Sequence, residues 1–342
     1  MSAATPSRVG QIQAANDVDA LWLKVFSGEV MTAFETMVKT KGKVRERSLT
    51  GAKSAQFPAT FKALASYHTP GAEITGQAIQ HNEVVVTLDD LLISDVFVAD
   101  IDEIKNHYDV RAPYSTELGN SLALFYDRTV TQVLLAAARD TTELFTGDGA
   151  GDEVVEADVG GSADFDVSGA DLIDAIGLAK QKMDEKDVPV DSMPVYAMFK
   201  PAQWYLIARS DKNINRDYNA SGAGVQRDVL TTVSDVQVIK SNAPLFGLDV
   251  TAYDAGTNTD GLVGAPSGLN RLPSSYPTKY RGDNATTRGI VWCEPAAAVL
   301  TAKGLQMESA WDIRRQGTLM VAKMAFGAGK LRSKCAIEIA TA

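Results

Sequence analysis

The sequence predicts an α+β protein, and three observations carry the prediction. A 25-residue stretch, Thr116 to Asp140, repeats apolar residues at helical spacing. Two regions, 81–101 and 305–339, read as strands: the first is rich in Val, and the second ends in an alternation of Cys335, Ile337 and Ile339 with Lys334 and Glu338. Helical and extended segments follow one another without a regular strand–helix–strand rhythm, so a doubly wound α/β sheet is not indicated.

The elements follow in order. Residues 1–16 are small and polar and read as a loose terminal arm. Asp17 can cap a helix over about 18–39, with Leu21, Val25, Phe26, Val30, Phe34 and Met37 on one face. Lys39 to Lys53 is basic, with six cations against Glu46 alone. The segments near Phe57 and at 81–88 read as strands joined by a long hairpin-like loop that turns at Thr69-Pro70-Gly71. That loop has few residues able to form a core and should lie on another surface. A further strand is expected over 91–101. Pro113 and Ser115 open the long helix, whose stripe is Leu118, Leu122, Phe125, Val130, Val133, Leu134 and Ala137, with Arg128 and Gln132 elsewhere.

From Asp140 to Asp174 there are eleven acids, six glycines and no Lys or Arg. This reads as a charged, flexible connection and a domain boundary. Ser168 with Asp171 then resembles a capping box opening a helix to about Glu185. Expected next are a strand at 195–199, a short helix from Pro201, a polar loop over 211–227, and strands near 236–239 and 248–253. A loop-rich stretch, 254–288, leads to a strand at 289–292 and a helix at 295–303. The chain closes with a hairpin of 305–314 and 318–326 and a strand at 334–339. In that last strand Cys335, Ile337 and Ile339 point inward and Lys334 and Glu338 outward.

Composition restricts function. The chain has 342 residues and a net charge of -10, with 45% hydrophobic and 22% charged residues. That is enough for a sizeable core, and a bulk acidic field does not attract nucleic acid. Cys293 and Cys335 form no metal-type spacing and read as free thiols. No apolar run approaches the ~20 residues a bilayer needs, and no secretory leader is apparent, so a soluble protein made in a cytoplasm is expected. Gly327-Ala328-Gly329-Lys330 lacks the other residues of a phosphate loop. Asp148, Asp152 and Glu153 form an acid cluster without the spacing of a calcium loop. His68, His81 and His107 have no partners at catalytic spacing. Nothing unites a nucleophile, a base and an orienting group, so no enzyme, cofactor or metal is expected. An acidic metal-dependent enzyme using Asp148, Asp152 or Asp109 ranks last.

Four blocks in order carry a resemblance. They are Leu21-Trp22-Leu23-Lys24-Val25-Phe26-Ser27-Gly28-Glu29-Val30, Gly51-Ala52-Lys53-Ser54-Ala55-Gln56-Phe57-Pro58, Asn106-His107-Tyr108-Asp109-Val110-Arg111, and Ala322-Lys323-Met324-Ala325-Phe326-Gly327-Ala328-Gly329-Lys330. Together they resemble the major capsid protein of short-tailed double-stranded DNA bacteriophages of the podovirus (autographivirus) type.

The resemblance implies the Hong Kong 97-type capsid fold. Its parts would be an N-terminal arm (1–49), an extended loop (50–92) and a peripheral domain with a long spine helix (93–167). An axial domain (168–304) and peripheral-domain strands returning to the axial domain (305–342) would follow. The acidic segment has no counterpart in that family and is expected as an exposed insertion. The resemblance further implies hexamers and pentamers closing into an icosahedral head, assembled in the host cytoplasm and ending in the virion. A scaffolding protein would act in assembly and a portal would occupy one vertex. The shell would enclose double-stranded DNA without sequence-specific binding, and a cement or decoration protein is a further partner of such shells. The alternative on the same fold is an encapsulin-like nanocompartment. The residues expected at subunit contacts are Trp22 and Phe26, then Lys39, Lys41, Lys43, Arg45 and Arg47, then Phe57, Phe61, Tyr67 and His68.

Overall fold

The structure is a computed structural model and describes residues 38–71, 73–74, 76–99, 101, 111–210, 232–251 and 276–341. The expected arm helix with Trp22 and Phe26, the block around His107 and the loop at 211–227 lie outside these residues. Helices and strands are mixed as predicted. The described residues form two compact units, one drawn from 38, 88–126 and 301–326 and the other from 39–87, 127–300 and 327–341.

The larger unit is built on a six-stranded sheet. Its strands are β5 (Asp152–Val155), β6 (Val195–Phe199), β7 (Thr232–Val233), β8 (Val236–Lys240), β9 (Thr287–Cys293) and β12 (Ala336–Ala340). The order is β5-β12-β9-β6-β8-β7. β12 and β6 are buried at every position, as strands inside a covered sheet must be. Helix α3 (Gly169–Glu185) packs Leu172, Ala175, Ile176, Ala179 and Met183 inward against this sheet. Its start is as predicted: Ser168 Oγ accepts from the Asp171 N–H at 3.3 Å. The reciprocal half of the box is replaced, because Asp171 accepts from the Asp164 N–H at 3.1 Å instead. Helix α4 (Pro201–Ala208) begins at its proline.

A two-stranded ribbon, β2 (Ser54–Thr60) with β3 (His81–Thr87), belongs to the same unit. Alternation is clean in β2, where Ala55, Phe57 and Ala59 are buried and their neighbours exposed. Phe57 and Ala55 join Val86, Ala298, Leu300 and Leu331 in one apolar cluster. Gly329 permits this approach, since a Cβ there would meet the Val86 side chain at 2.9 Å.

The smaller unit holds β4 (Leu92–Ala99), antiparallel to β11 (Gly317–Lys330) from Leu92 opposite Met324 to Ala99 opposite Gly317. Tyr126 lies 5.2 Å from Phe326, and Ser121 donates to Ser94 at 3.0 Å. In sequence terms the strand order is β1-β10-β11-β4, with β1 (Arg45–Ser48) among the residues of the larger unit and β10 (Ala297–Asp312) divided between the two at Leu300.

Helix α1 (Arg111–Ala138) starts five residues before the predicted Thr116 and is roughly 42 Å long at 1.5 Å per residue. Its apolar stripe is too narrow a description. Every residue from Tyr126 to Leu135 is buried, including Asp127, Arg128, Thr131 and Gln132. The helix is covered on all sides there, so its polar residues need internal partners. Arg128 donates from Nε to the Ala243 carbonyl at 3.2 Å, and Thr131 donates to the Asp127 carbonyl at 2.7 Å.

Three further expectations are corrected. Residues 295–303 are not a helix: a 3-10 turn at Glu294–Ala296 leads straight into β10. A short apolar run does not distinguish a buried strand from a helix, and here sheet pairing decides. The strand at 248–253 reduces, over the described residues, to one bridge between Asp249 and Asp283. Glu338 is not outward-facing. It is 2% exposed, held by both Arg139 nitrogens Nε and Nη2 at 2.6 Å and by the Thr287 hydroxyl at 2.5 Å.

The acidic stretch is folded rather than a connecting linker. It contains β5, the short helix α2 (Glu156–Val159) and the buried side chains Phe145, Val154 and Phe165. Gly151 packs where a Cβ would strike the Ala138 carbonyl oxygen at 2.2 Å. No helix of the described residues is long and apolar enough to cross a membrane.

Candidate assembly surface

The basic run is anchored by a buried carboxylate. Asp127 on α1 accepts from the Lys39 N–H at 2.8 Å, the Thr40 N–H at 3.1 Å and the Thr40 hydroxyl at 2.6 Å. Burial pushes its pKa above the ordinary value, against these three donors and nearby Lys43, which hold it down. Lys43 turns inward and donates to the Lys39 carbonyl at 2.5 Å. Burial lowers its pKa. Trp292 Nε1 donates to the Lys43 carbonyl at 3.0 Å. Asp127 was not among the expected contact residues, and its only sequence signal was an acid inside a helix otherwise lined with apolar residues.

Beyond Lys43 the cations turn outward. Lys41, Arg45, Arg47 and Lys53 are exposed. Arg45 and Arg47 place their guanidinium carbons 6.0 and 5.9 Å from the centre of the Phe57 ring, within cation–π range. Arg47 also donates to the Gln56 carbonyl at 3.2 Å. Phe57 itself is buried in the apolar cluster of its own chain, because strand alternation turns it inward.

The extended loop has a held root and an open tip. At the root, Phe61 lies 5.2 Å from Phe145, Lys62 meets Asp187 at 2.5 Å, and Asn82 donates to the Leu144 carbonyl at 2.8 Å. The Lys62 ammonium draws the Asp187 pKa below its ordinary value. Beyond the root, the described residues of 62–80 are exposed and form no strand or helix. Tyr67 is fully exposed at 105%, with Leu64 at 77%, Ile74 at 80%, and Ile79 and His68 also exposed. Large apolar side chains on a segment without a core mark a contact surface. Leu64, Ile74 and Ile79 add to the expected Tyr67 and His68. They were detectable as isolated apolar residues in a small-polar stretch.

In the smaller unit, Trp311 and Ile313 are exposed where β10 turns toward β11. Among the described residues no group of three His, Cys, Asp or Glu side chains could hold a metal ion. Asp148 is paired with Lys334 at 2.8 Å and Asp152 with Lys186 at 2.8 Å.

Comparison with known proteins follows the same direction. A family model described as "Gp10A-like: Major capsid protein" matches residues 56–340. The chain is 30% identical over 331 residues to the major capsid protein of Escherichia phage T7, covering 95% of this chain and 93% of that protein. The capsid structure of the cyanophage P-SCSP1u superposes with a TM-score of 0.74 at 32% identity, covering 100% of this chain and 99% of that one. The mature capsid of bacteriophage PhiM1 gives a TM-score of 0.70 at 18% identity over 99% of each chain, a likeness of fold.

Proposed function

Because the chain belongs to the Gp10A-like major capsid protein family, we propose a division of labour among its own parts in building a shell. The protein is a tailed-phage major capsid protein of Hong Kong 97-type fold, a structural component of the virion whose copies assemble into a shell. The finer reading is ours. The domain names carry over: arm to residue 49, extended loop 50–92, peripheral domain 93–167, axial domain 168–304, and 305–342 as peripheral-domain strands returning to the axial domain. Copies form hexamers and pentamers around double-stranded DNA. A scaffolding protein acts during assembly in the host cytoplasm, a portal occupies one vertex, and a cement protein can decorate the outside. Nothing observed favours the nanocompartment alternative.

The observation that carries the assembly reading is the loop tip. Leu64, Tyr67 and Ile74 are exposed on a segment whose root is fastened to its own chain and whose tip is not. Such a segment gains burial only by lying on a second copy, and many such contacts, each weak, close a shell cooperatively. Tyr67 and His68, the outward cations Lys41, Arg45 and Arg47, and Lys39 beside them are the contact residues we assign. Phe61 supports the loop from its root, and Trp22 and Phe26 are assigned to the arm.

The test is a Leu64→Ser/Tyr67→Ser double variant co-expressed with the phage's scaffolding protein. Its thermal unfolding should match the parent, because neither side chain is buried in the chain. Its yield of closed shells by sedimentation and electron microscopy should fall at least tenfold. Shells at parental yield would overturn the role of the tip.

A further inference from the structure

We propose that Cys293 and Cys335 are a latent cross-strand disulfide, a modification site that would tie the C-terminal strand to the centre of the six-stranded sheet. The argument begins with register. β12 pairs antiparallel with β9 as Ala336 with Trp292, Ile337 with Val291, Glu338 with Ile290 and Ile339 with Gly289. Cys335 closes the 3-10 turn Ser333–Cys335 that leads directly into β12, and one further step of the register would set it opposite Cys293, the last residue of β9. Opposed residues of an antiparallel pair share a face of the sheet.

The type of site also follows. The Cys335 N–H donates to the Arg332 carbonyl at 3.1 Å, so it cannot complete a hydrogen-bonded pair with Cys293. Non-hydrogen-bonded positions bring opposed Cα atoms to about 4.5 Å, at the near end of the range that a disulfide spans. Both side chains are buried, and both thiols are free. Cys293 Sγ lies 3.8 Å from Met183 Sδ on α3, which backs the pair with an apolar wall.

Burial also slows oxidation of the pair. It pushes the Cys293 thiol up to about 12, with Cys335 contributing, and the Cys335 thiol up to about 11. Thiolate, the reactive form, is scarce at neutral pH. Oxidation therefore needs a small oxidant and mildly alkaline conditions. With a diazene such as diamide, the first thiolate adds to the N=N bond and the second displaces it. The S–S bond forms, and two electrons and two protons pass to the diazene, leaving a hydrazine.

The experiment treats the folded full-length chain, and the same chain in urea, with diamide at about pH 9. Both are then denatured and blocked with N-ethylmaleimide. In the folded sample maleimide uptake should fall from two groups per chain to none. Tryptic digestion should then link the peptide containing Cys293 to the peptide that begins at Cys335. The urea sample should give less of the intramolecular product and more intermolecular dimer. Cys335→Ser, checked for native thermal unfolding, should give no intramolecular product. Two maleimide groups on the folded chain after diamide, or disulfides that are only intermolecular, would overturn the proposal.

Discussion

Residues 140–174 and residues 39–53 are both charge runs, one acidic and one basic, and the fold treats them differently. Five carboxylates of the acidic run meet a cation of their own unit. Asp140 pairs with Lys330 at 2.6 Å, Asp148 with Lys334 at 2.8 Å, Asp152 with Lys186 at 2.8 Å, Asp158 with Lys182 at 3.1 Å and Asp166 with Arg288 at 2.5 Å. In the basic run, Lys41, Arg45, Arg47 and Lys53 have no carboxylate partner among the described residues. The difference teaches where each charge acts. A run neutralised within the chain belongs to the fold, while a run of the opposite sign to the protein's net charge, left open, suits another copy's acidic surface.

Four changes would break or sharpen this contrast. The largest effect is expected at the most buried pair. Lys334→Ala leaves Asp148 buried without its cation and should cost about 3–5 kcal/mol, read from the urea midpoint at constant slope. Next comes the floor beneath the basic run. Phe57→Ala opens a cavity among Val86, Leu300 and Leu331 and should cost about 3 kcal/mol by the same measurement.

The third change is pH. Around Asp140, burial raises the pKa but is outweighed by Lys330, the Thr142 N–H and Ser333. Around Asp152, burial is outweighed by Lys186 and the Glu153 N–H. Arg288 lowers Asp166 directly. A carboxylate depressed in the folded state contributes stability above its unfolded pKa of 3.8. That contribution is lost as pH falls through the lower folded value. Stability of the parent should therefore drop below about pH 4. Asp152→Asn should start lower and drop less steeply over that window.

The smallest effect on folding is expected from Arg45→Gln/Arg47→Gln, within about 0.5 kcal/mol. The same double variant should reduce shell yield and weaken its dependence on salt. Unchanged assembly would place the open charges outside the contact.

Much of the fold was legible in local patterns. The Ser168 cap, the inward stripe of α3, β6 and the Pro201 start all follow from short-range rules, because each depends on neighbours within one or two turns. The β10–β11 hairpin was legible in outline for the same reason. What was not legible depends on distant partners. Glu338 reads as outward until Arg139, far off in the chain, turns it into a buried ion pair. The acidic run reads as a linker until cations as remote as Arg288 and Lys334 neutralise it. The apolar run after Pro295 reads as a helix until sheet pairing claims it. Within the candidate surface, Tyr67 and His68 were legible as unpartnered. The inward turn of Phe57 was not legible from residue type alone, because its strand's phase decides which way it points.

The root of the extended loop has a mechanical consequence. Phe61 against Phe145, Lys62 against Asp187 and Asn82 against Leu144 clamp both ends of the excursion to the same body. The loop is thus a cantilever, and residues 62–80 folded back on themselves can reach roughly 30 Å from the clamp at 3.3 Å per residue. Inserting residues near Gly71 would lengthen the beam by about 3.3 Å per pair without disturbing its support, so its reach is adjustable at the tip alone.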